Sequence, residues 1–229
     1  MADEILPRAL SLAVHELRTP VTVAAGYLRM LLKEQGGPIT DRQRKMLEEA
    51  ERACGRIGAM VAEMSDMGKL ESRQLAVPRS TVNLAELVAG LADAMQEGRD
   101  RGVQLEIRGT ERTVTVLGDR TRLSAAVGAL THASLRERGQ PGTVVANLTT
   151  MTDTPTPWAV FAVGDTTAIP GLLEQARSGT SNDFDEWRGG LGLALPVLRR
   201  VIESLDGAVW SAPGDQAKAG SAFRLPLHE

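Results

Sequence analysis

The sequence predicts an α+β protein: an N-terminal antiparallel helical hairpin that dimerises into a four-helix bundle, then a mixed domain in which helices cover one sheet. Three observations predict this. Apolar residues recur at alternating spacings of three and four over the first third of the chain, the period falls to two in several later runs, and those runs mix with helical stretches without strict alternation. The chain has 229 residues, 42% of them hydrophobic, enough for one or two ordinary cores.

Leu10, Ala13, Leu17, Pro20, Ala24, Tyr27 and Leu31 form the first heptad seam, and Leu47, Ala50, Cys54, Ile57, Val61 and Met64 the second. An apolar stripe of this kind is stable only when buried against other helices. Two helices make a thin core, so pairing with a second copy is the economical completion. Gln35-Gly36-Gly37-Pro38 separates the helices, and Thr40 with Gln43 reads as a capping box opening the second. Pro20 removes one backbone hydrogen bond from the first helix, which predicts a local kink. Cys54 on the seam reads as a small core residue.

The pattern breaks between Leu75 and Ser80, so residues 1–75 form the hairpin, 76–81 a linker and 82–229 the second domain. There Asn83 with Glu86 opens a helix whose face is Leu84, Leu87, Val88, Leu91 and Met95. Alternation at Val103, Leu105 and Ile107 and around Val114 and Val116 marks strands. Residues 120–136 read as helix, 143–149 and 158–163 as strands, 191–205 as helix, and 208–211 and 222–227 as strands.

Composition excludes several function classes. A net charge of −3 with 3% aromatic residues gives no footprint for nucleic acid. A single cysteine rules out a disulfide within one chain and fits a reducing compartment. No apolar run approaches the roughly 20 residues that span a bilayer, and the acidic start Met1-Ala2-Asp3-Glu4 is unlike a signal peptide. The expectation is a soluble, cytoplasmic chain.

The chemistry is concentrated in His15-Glu16-Leu17-Arg18-Thr19-Pro20, which puts an imidazole, a carboxylate and a hydroxyl within about one helical turn. Neutral imidazole is a good nucleophile near neutral pH, and Thr19 shares the helical face of His15. A solvated histidine on a polar face is the bland alternative. Further along come Gly118-Asp119-Arg120-Thr121-Arg122-Leu123, then Gly190-Leu191-Gly192-Leu193-Ala194 followed by residues 201–210, and finally the closing run Gly220-Ser221-Ala222-Phe223-Arg224-Leu225-Pro226-Leu227.

In this order and spacing the motifs resemble the catalytic core of two-component sensor histidine kinases over nearly the whole chain. The resemblance implies a dimeric phosphoacceptor hairpin and an α/β-sandwich ATP-binding domain. It makes His15 the phosphoacceptor, Glu16 the group that takes the ring proton, and Thr19 the residue that orients a water against the phosphoaspartate of a response regulator. It implies that Asp165 accepts a hydrogen bond from the adenine amino group, with the Ser221 hydroxyl beside it, that Gly190 and Gly192 form a phosphate-side glycine box, and that residues 171–187 form a nucleotide lid. The implied cofactors are ATP and Mg²⁺. The implied partners are a second copy of the chain and a receiver domain docking beside His15.

The sequence departs from the family pattern in the nucleotide half. With Arg136 in register with the family's basic residue, Ala133 stands where the metal-holding asparagine belongs; a one-residue slip brings His132 there. Neither is the hard oxygen ligand Mg²⁺ prefers, so no metal ligand is expected. The first glycine box reads Asp165-Thr166-Thr167-Ala168-Ile169-Pro170, keeping Asp165, losing both glycines and running one residue short. Arg188 replaces a glycine and reads as a surface residue, with a phosphate contact as the alternative. The departures predict weak or absent ATP binding, since phosphoryl transfer depends on metal and electrostatic stabilisation. A phosphotransfer protein with possible regulator phosphatase activity is the leading reading, an ATP-dependent autokinase the second and a non-catalytic dimeric adaptor the third.

Overall fold

The computed structural model describes residues 2–71, 78–94, 98–179, 183–212 and 219–228. The chain divides into two compact units, residues 1–76 and 77–229.

The first unit is a hairpin of α1 (Ala2–Leu32) and α2 (Asp41–Glu71). α1 runs through Pro20 without interruption. The capping box forms in full: the Thr40 backbone N–H donates to Gln43 Oε1 at 2.8 Å and the Gln43 N–H to Thr40 Oγ1 at 3.3 Å. Such caps are worth about 0.5–2 kcal/mol. Arg44 closes the connection from below, donating to the Leu32 carbonyl at 3.2 Å while pairing with Glu34, itself in the left-handed region at φ 56°. The stripe of α1 packed within the chain is Leu10, Ala13, Val14, Val21, Ala25, Leu28 and Leu32, which keeps the first two residues of the seam read off the sequence and is displaced from it after Val14. Leu17, Tyr27 and Leu31 of that seam remain exposed. Two adjacent apolar stripes satisfy the same heptad spacing, and periodicity does not say which of them a single chain uses. On α2 the seam was placed correctly at Val61, which is buried, and at the half-buried Leu47, Ala50, Cys54 and Met64; Ile57 is exposed.

The second unit begins at β1 (Ser80–Asn83), so the last two residues of the expected linker belong to a strand; Ala76 and Val77 lie outside the described residues. β1 pairs antiparallel with β3 (Thr115–Gly118), burying Val82 against Val116. Asn83 caps the next helix, accepting from the Ala85 N–H at 3.2 Å. The single helix expected there is split by Gly90 into α3 (Leu84–Ala89) and α4 (Leu91–Ala94), because glycine loses most backbone freedom in a helix; Met95 lies outside the described residues. Glu86 accepts from Arg120 at 3.1 Å and from Asn83 at 3.1 Å. The Arg120 bond, more than any other contact, holds the Glu86 carboxyl below its usual range. A depressed carboxyl pKa stabilises the fold above the unfolded value of 4.5 and ceases to do so as pH falls through the folded value. Glu86→Gln is therefore expected to flatten this acid limb slightly, read as a smaller loss of melting temperature below pH 4.5.

A five-stranded sheet of order β2-β4-β5-β7-β6 forms the centre, from β2 (Val103–Arg108), β4 (Gly142–Met151), β5 (Trp158–Asp165), β6 (Ala208–Ser211) and β7 (Gly220–Pro226). β2 and β4 are parallel and the other pairs antiparallel. α6 (Ile169–Ser178) covers Val145, Val160, Ala162, Trp210 and Ala222, with Trp210 Nε1 donating to the Leu172 carbonyl at 3.2 Å. Residues of opposite parity, Phe161 and Phe223 among them with ring centres 5.4 Å apart, face the other side. α5 (Arg120–Glu137) and α7 (Ala194–Ser204) pack on each other and on the sheet. The helix expected from 191 starts only at Ala194, since Gly189, Gly190 and Gly192 all hold positive φ. Of the expected lid, residues 171–178 belong to α6, and 180–182 lie outside the described residues.

Candidate functional site

His15 and Glu16 sit mid-helix on α1, with side chains 82% and 70% exposed. His15 Nδ1 lies 3.3 Å from Glu16 Oε1. A carboxylate can only accept, so this contact favours the Nδ1–H tautomer and leaves the Nε2 lone pair free for attack. Thr19 is exposed one turn on, while the neighbouring Thr22 hydroxyl is spent on the Arg18 carbonyl at 2.8 Å. The sequence-derived trio therefore shares one solvent-facing stretch of helix, open to a large substrate.

The other candidate residues meet at the ends of β5, β7 and α5. Asp165 closes β5 in a tight turn, its carbonyl accepting from the Ala168 N–H at 2.9 Å. That turn feeds straight into α6 with Pro170 in its first turn. The shortened box thus makes a turn that needs no glycine. The Asp165 carboxylate is ion-paired with Arg138 Nη1, and Arg138 lies over Gly142, where any side chain would collide with it.

Ser221 is fully buried on β7, and its hydroxyl accepts from Arg188 Nη1 at 2.5 Å. Arg188 is a correction to the surface reading: its side chain is 1% exposed. Its Nε donates to Glu137 Oε2 at 2.8 Å, Nη2 pairs with the same oxygen, and Nη1 also reaches the Gly220 carbonyl at 3.3 Å. A guanidinium this deep is tolerable only with its donors occupied and its charge matched.

The glycine loop lies directly on α5. A Cβ added at Gly189 would fall 2.9 Å from Ala133 Cα, so that contact requires glycine, whereas one at Gly190 would meet open space. Ala133 is buried, and the Gly190 carbonyl accepts from Arg136 Nη1 at 3.3 Å. Gly192 keeps a left-handed φ of 60°. Asp165 at the end of β5 and Ser221 near the start of β7 thus lie at one end of the sheet, and the glycine loop reaches that end through Arg188 on Ser221. The structure adds residues that the motif reading passed over: Glu137, Arg138 and Gly189. The charged pair's signal is Arg136-Glu137-Arg138 closing a helix, which reads as ordinary surface charge, and Gly189 stands directly before the glycine box. Among the described residues no group of three or more His, Cys, Asp or Glu side chains is placed to hold a metal. A separate groove of about 490 Å³ runs between α3, α4 and the first half of α5, lined by Leu87, Gly90, Ser124 and Gly128 among others. None of the candidate residues lines it.

Comparison with known proteins places these features. Residues 8–73 match the His Kinase A (phospho-acceptor) domain. The chain is 27% identical to the sensor protein GacS of Pseudomonas syringae pv. syringae over 98% of its own length and 26% of that protein's. It is 24% identical to the sensor protein DivL of Caulobacter vibrioides, covering 94% and 27%. The probable sensor histidine kinase TcrY of Mycobacterium tuberculosis is 28% identical over 94% of this chain and 44% of TcrY. The chain thus spans about a quarter of the length of the first two relatives. In fold it is similar to full-length ShkA, crystallised in complex with AMPPNP, with TM-score 0.68, 21% identity, and 96% of this chain and 46% of that one covered. The histidine kinase AdeS of Acinetobacter baumannii gives TM-score 0.54 at 18% identity, covering 94% of this chain and 98% of AdeS. No helix among the described residues is long and apolar enough to cross a membrane. Residues 8–73 thus match a phospho-acceptor domain around His15, and along almost its full length the chain is similar to sensor histidine kinases.

Proposed function

We propose that the chain works as a phosphotransfer protein: His15 takes a phosphoryl group from, or returns it to, the aspartate of a response-regulator receiver domain, and ATP binding is weak or absent. The observation that carries this reading is the contrast between the two candidate sites. His15 and Glu16 stand open on their helix, while Asp165 and Ser221 are already engaged by Arg138 and Arg188. The residues present do not fit ATP and Mg²⁺. The aspartate expected to meet adenine pairs with an arginine, and the position expected to hold the metal ligand is a buried alanine under the glycine loop.

In the transfer step the Nε2 lone pair attacks phosphorus, the Asp–O–P bond breaks, and the regulator leaves with a free carboxylate. The ring, now cationic, gives its Nδ1 proton to Glu16. Thr19 is placed to direct water at the phosphoaspartate of a docked regulator, which would add phosphatase activity. A homodimer through the hairpin is part of the proposal. Apart from Trp187, the large exposed hydrophobics of the described residues all lie on α1 and α2, among them Leu12, Leu17, Tyr27, Met46 and Met60, and a second copy would cover them.

The autokinase reading has one observation in its favour, that ShkA, similar in fold, was crystallised with AMPPNP. One experiment separates the two. Receiver domains loaded from acetyl phosphate are mixed with the chain, and ATP and ADP are titrated calorimetrically with and without Mg²⁺. Label reaching His15 with no nucleotide heat is the expected result. Micromolar Mg²⁺-dependent binding, with His15 labelled from ATP, would replace this proposal by the autokinase.

A further inference from the structure

We propose that Arg188 is a built-in latch, whose guanidinium on Glu137 and Ser221 holds the glycine loop of residues 188–192 down on α5 and closes this end of the domain without nucleotide. The inference rests on reading the site as unfit for ATP, and adds what occupies it instead.

The attachments are independent of one another. Arg188 reaches from the loop to the last turn of α5 through Glu137 and to β7 through Ser221 and the Gly220 carbonyl. Arg136 returns from α5 to the Gly190 carbonyl. Between these two ties, Gly189 rests on Ala133 at a separation no side chain would permit. The guanidinium is nearly inaccessible at 1% and Glu137 is 13% exposed, so the pair is shielded from salt and solvent. Arg138 on Asp165 closes the adjoining strand end in the same way. A loop fixed by a charged side chain of its own chain is ordered at all times, whereas one fixed by a ligand is ordered only when the ligand is bound.

The test is hydrogen exchange on the full chain without nucleotide, following the amides of residues 187–191 in the wild type, Arg188→Ala and Glu137→Gln. The second variant keeps an acceptor and serves should the first fail to fold. The latch predicts a protected loop in the wild type and exchange at least about tenfold faster in either variant, beyond any change in the β4 and β5 amides of the same unit. A wild-type loop exchanging like free peptide, or variants matching the wild type, would overturn it. Calorimetry with Mg·ATP on the same samples keeps the two ideas apart. Binding by a wild type whose loop is protected through Arg188 overturns only the functional reading; binding with a loop indifferent to Arg188 overturns both.

Discussion

His15→Ala is expected to reduce phosphoryl transfer to the background level, because it removes the imidazole nitrogen proposed to form the phosphorus bond. The fold should survive. His15 is 82% exposed on a helix interior, and alanine has the higher helix propensity there, by up to about 0.7 kcal/mol. Glu16→Gln keeps an acceptor for Nδ1–H but cannot take the proton, so transfer should slow by about 10²–10⁴. Thr19→Ala should leave transfer intact and lower only the hydrolysis of the regulator's phosphoaspartate. Gel assays of label moving between a loaded receiver and each variant, beside circular dichroism of the same samples, read all three. Transfer that persists in His15→Ala, or a regulatory output indifferent to it, would sink the phosphotransfer reading and favour the dimeric adaptor.

The two halves of the chain were legible to different degrees, for physical reasons. The hairpin follows from spacing alone, since heptads and a capping box are local signals, and Thr40 and Gln43 bond as their types demand. Which apolar stripe of α1 packs within the chain was not legible: Val14 and Leu28 compete with Leu17 and Tyr27 at the same period, and only the three-dimensional partner decides. Strands β2 to β7 are legible to within a few residues of their ends, because burial on both faces or alternation marks them, whereas β1 falls where the sequence reads as linker and helix start. The split at Gly90 depends on backbone cost against packing, which a pattern of leucines does not reveal. The arginine seats were least legible. Arg188 and Glu137 are separated by 51 residues, and each looks like a solvated charge in its own neighbourhood. In the sequence, the lost glycine at 188 and the lost asparagine at 133 stand as separate departures from the family pattern. The structure shows the glycine loop pressed on Ala133 with Arg188 anchoring it beside Glu137.

The second large effect concerns that anchor. Removing one partner of a buried ion pair leaves the other charge desolvated and unmatched, so Arg188→Ala and Glu137→Ala should each destabilise the second unit by about 3–5 kcal/mol. The double variant should lose far less than the sum, since the orphaned charge disappears with its partner. The pair Arg188→Met with Glu137→Leu should come close to the wild type in stability, because an apolar pair of similar volume avoids the desolvation cost altogether. Urea unfolding followed by tryptophan fluorescence measures this, since the buried Trp210 lies in the second unit's core. Additive single-variant losses would mean that the two side chains act through different neighbours, Ser221 for one and the α5 terminus for the other. A stable but latch-free double variant would separate two roles of the pair, since it would keep the fold while its glycine loop lost the charge that fixes it. The charged pair would then be retained for loop position, at no advantage in stability over an apolar one.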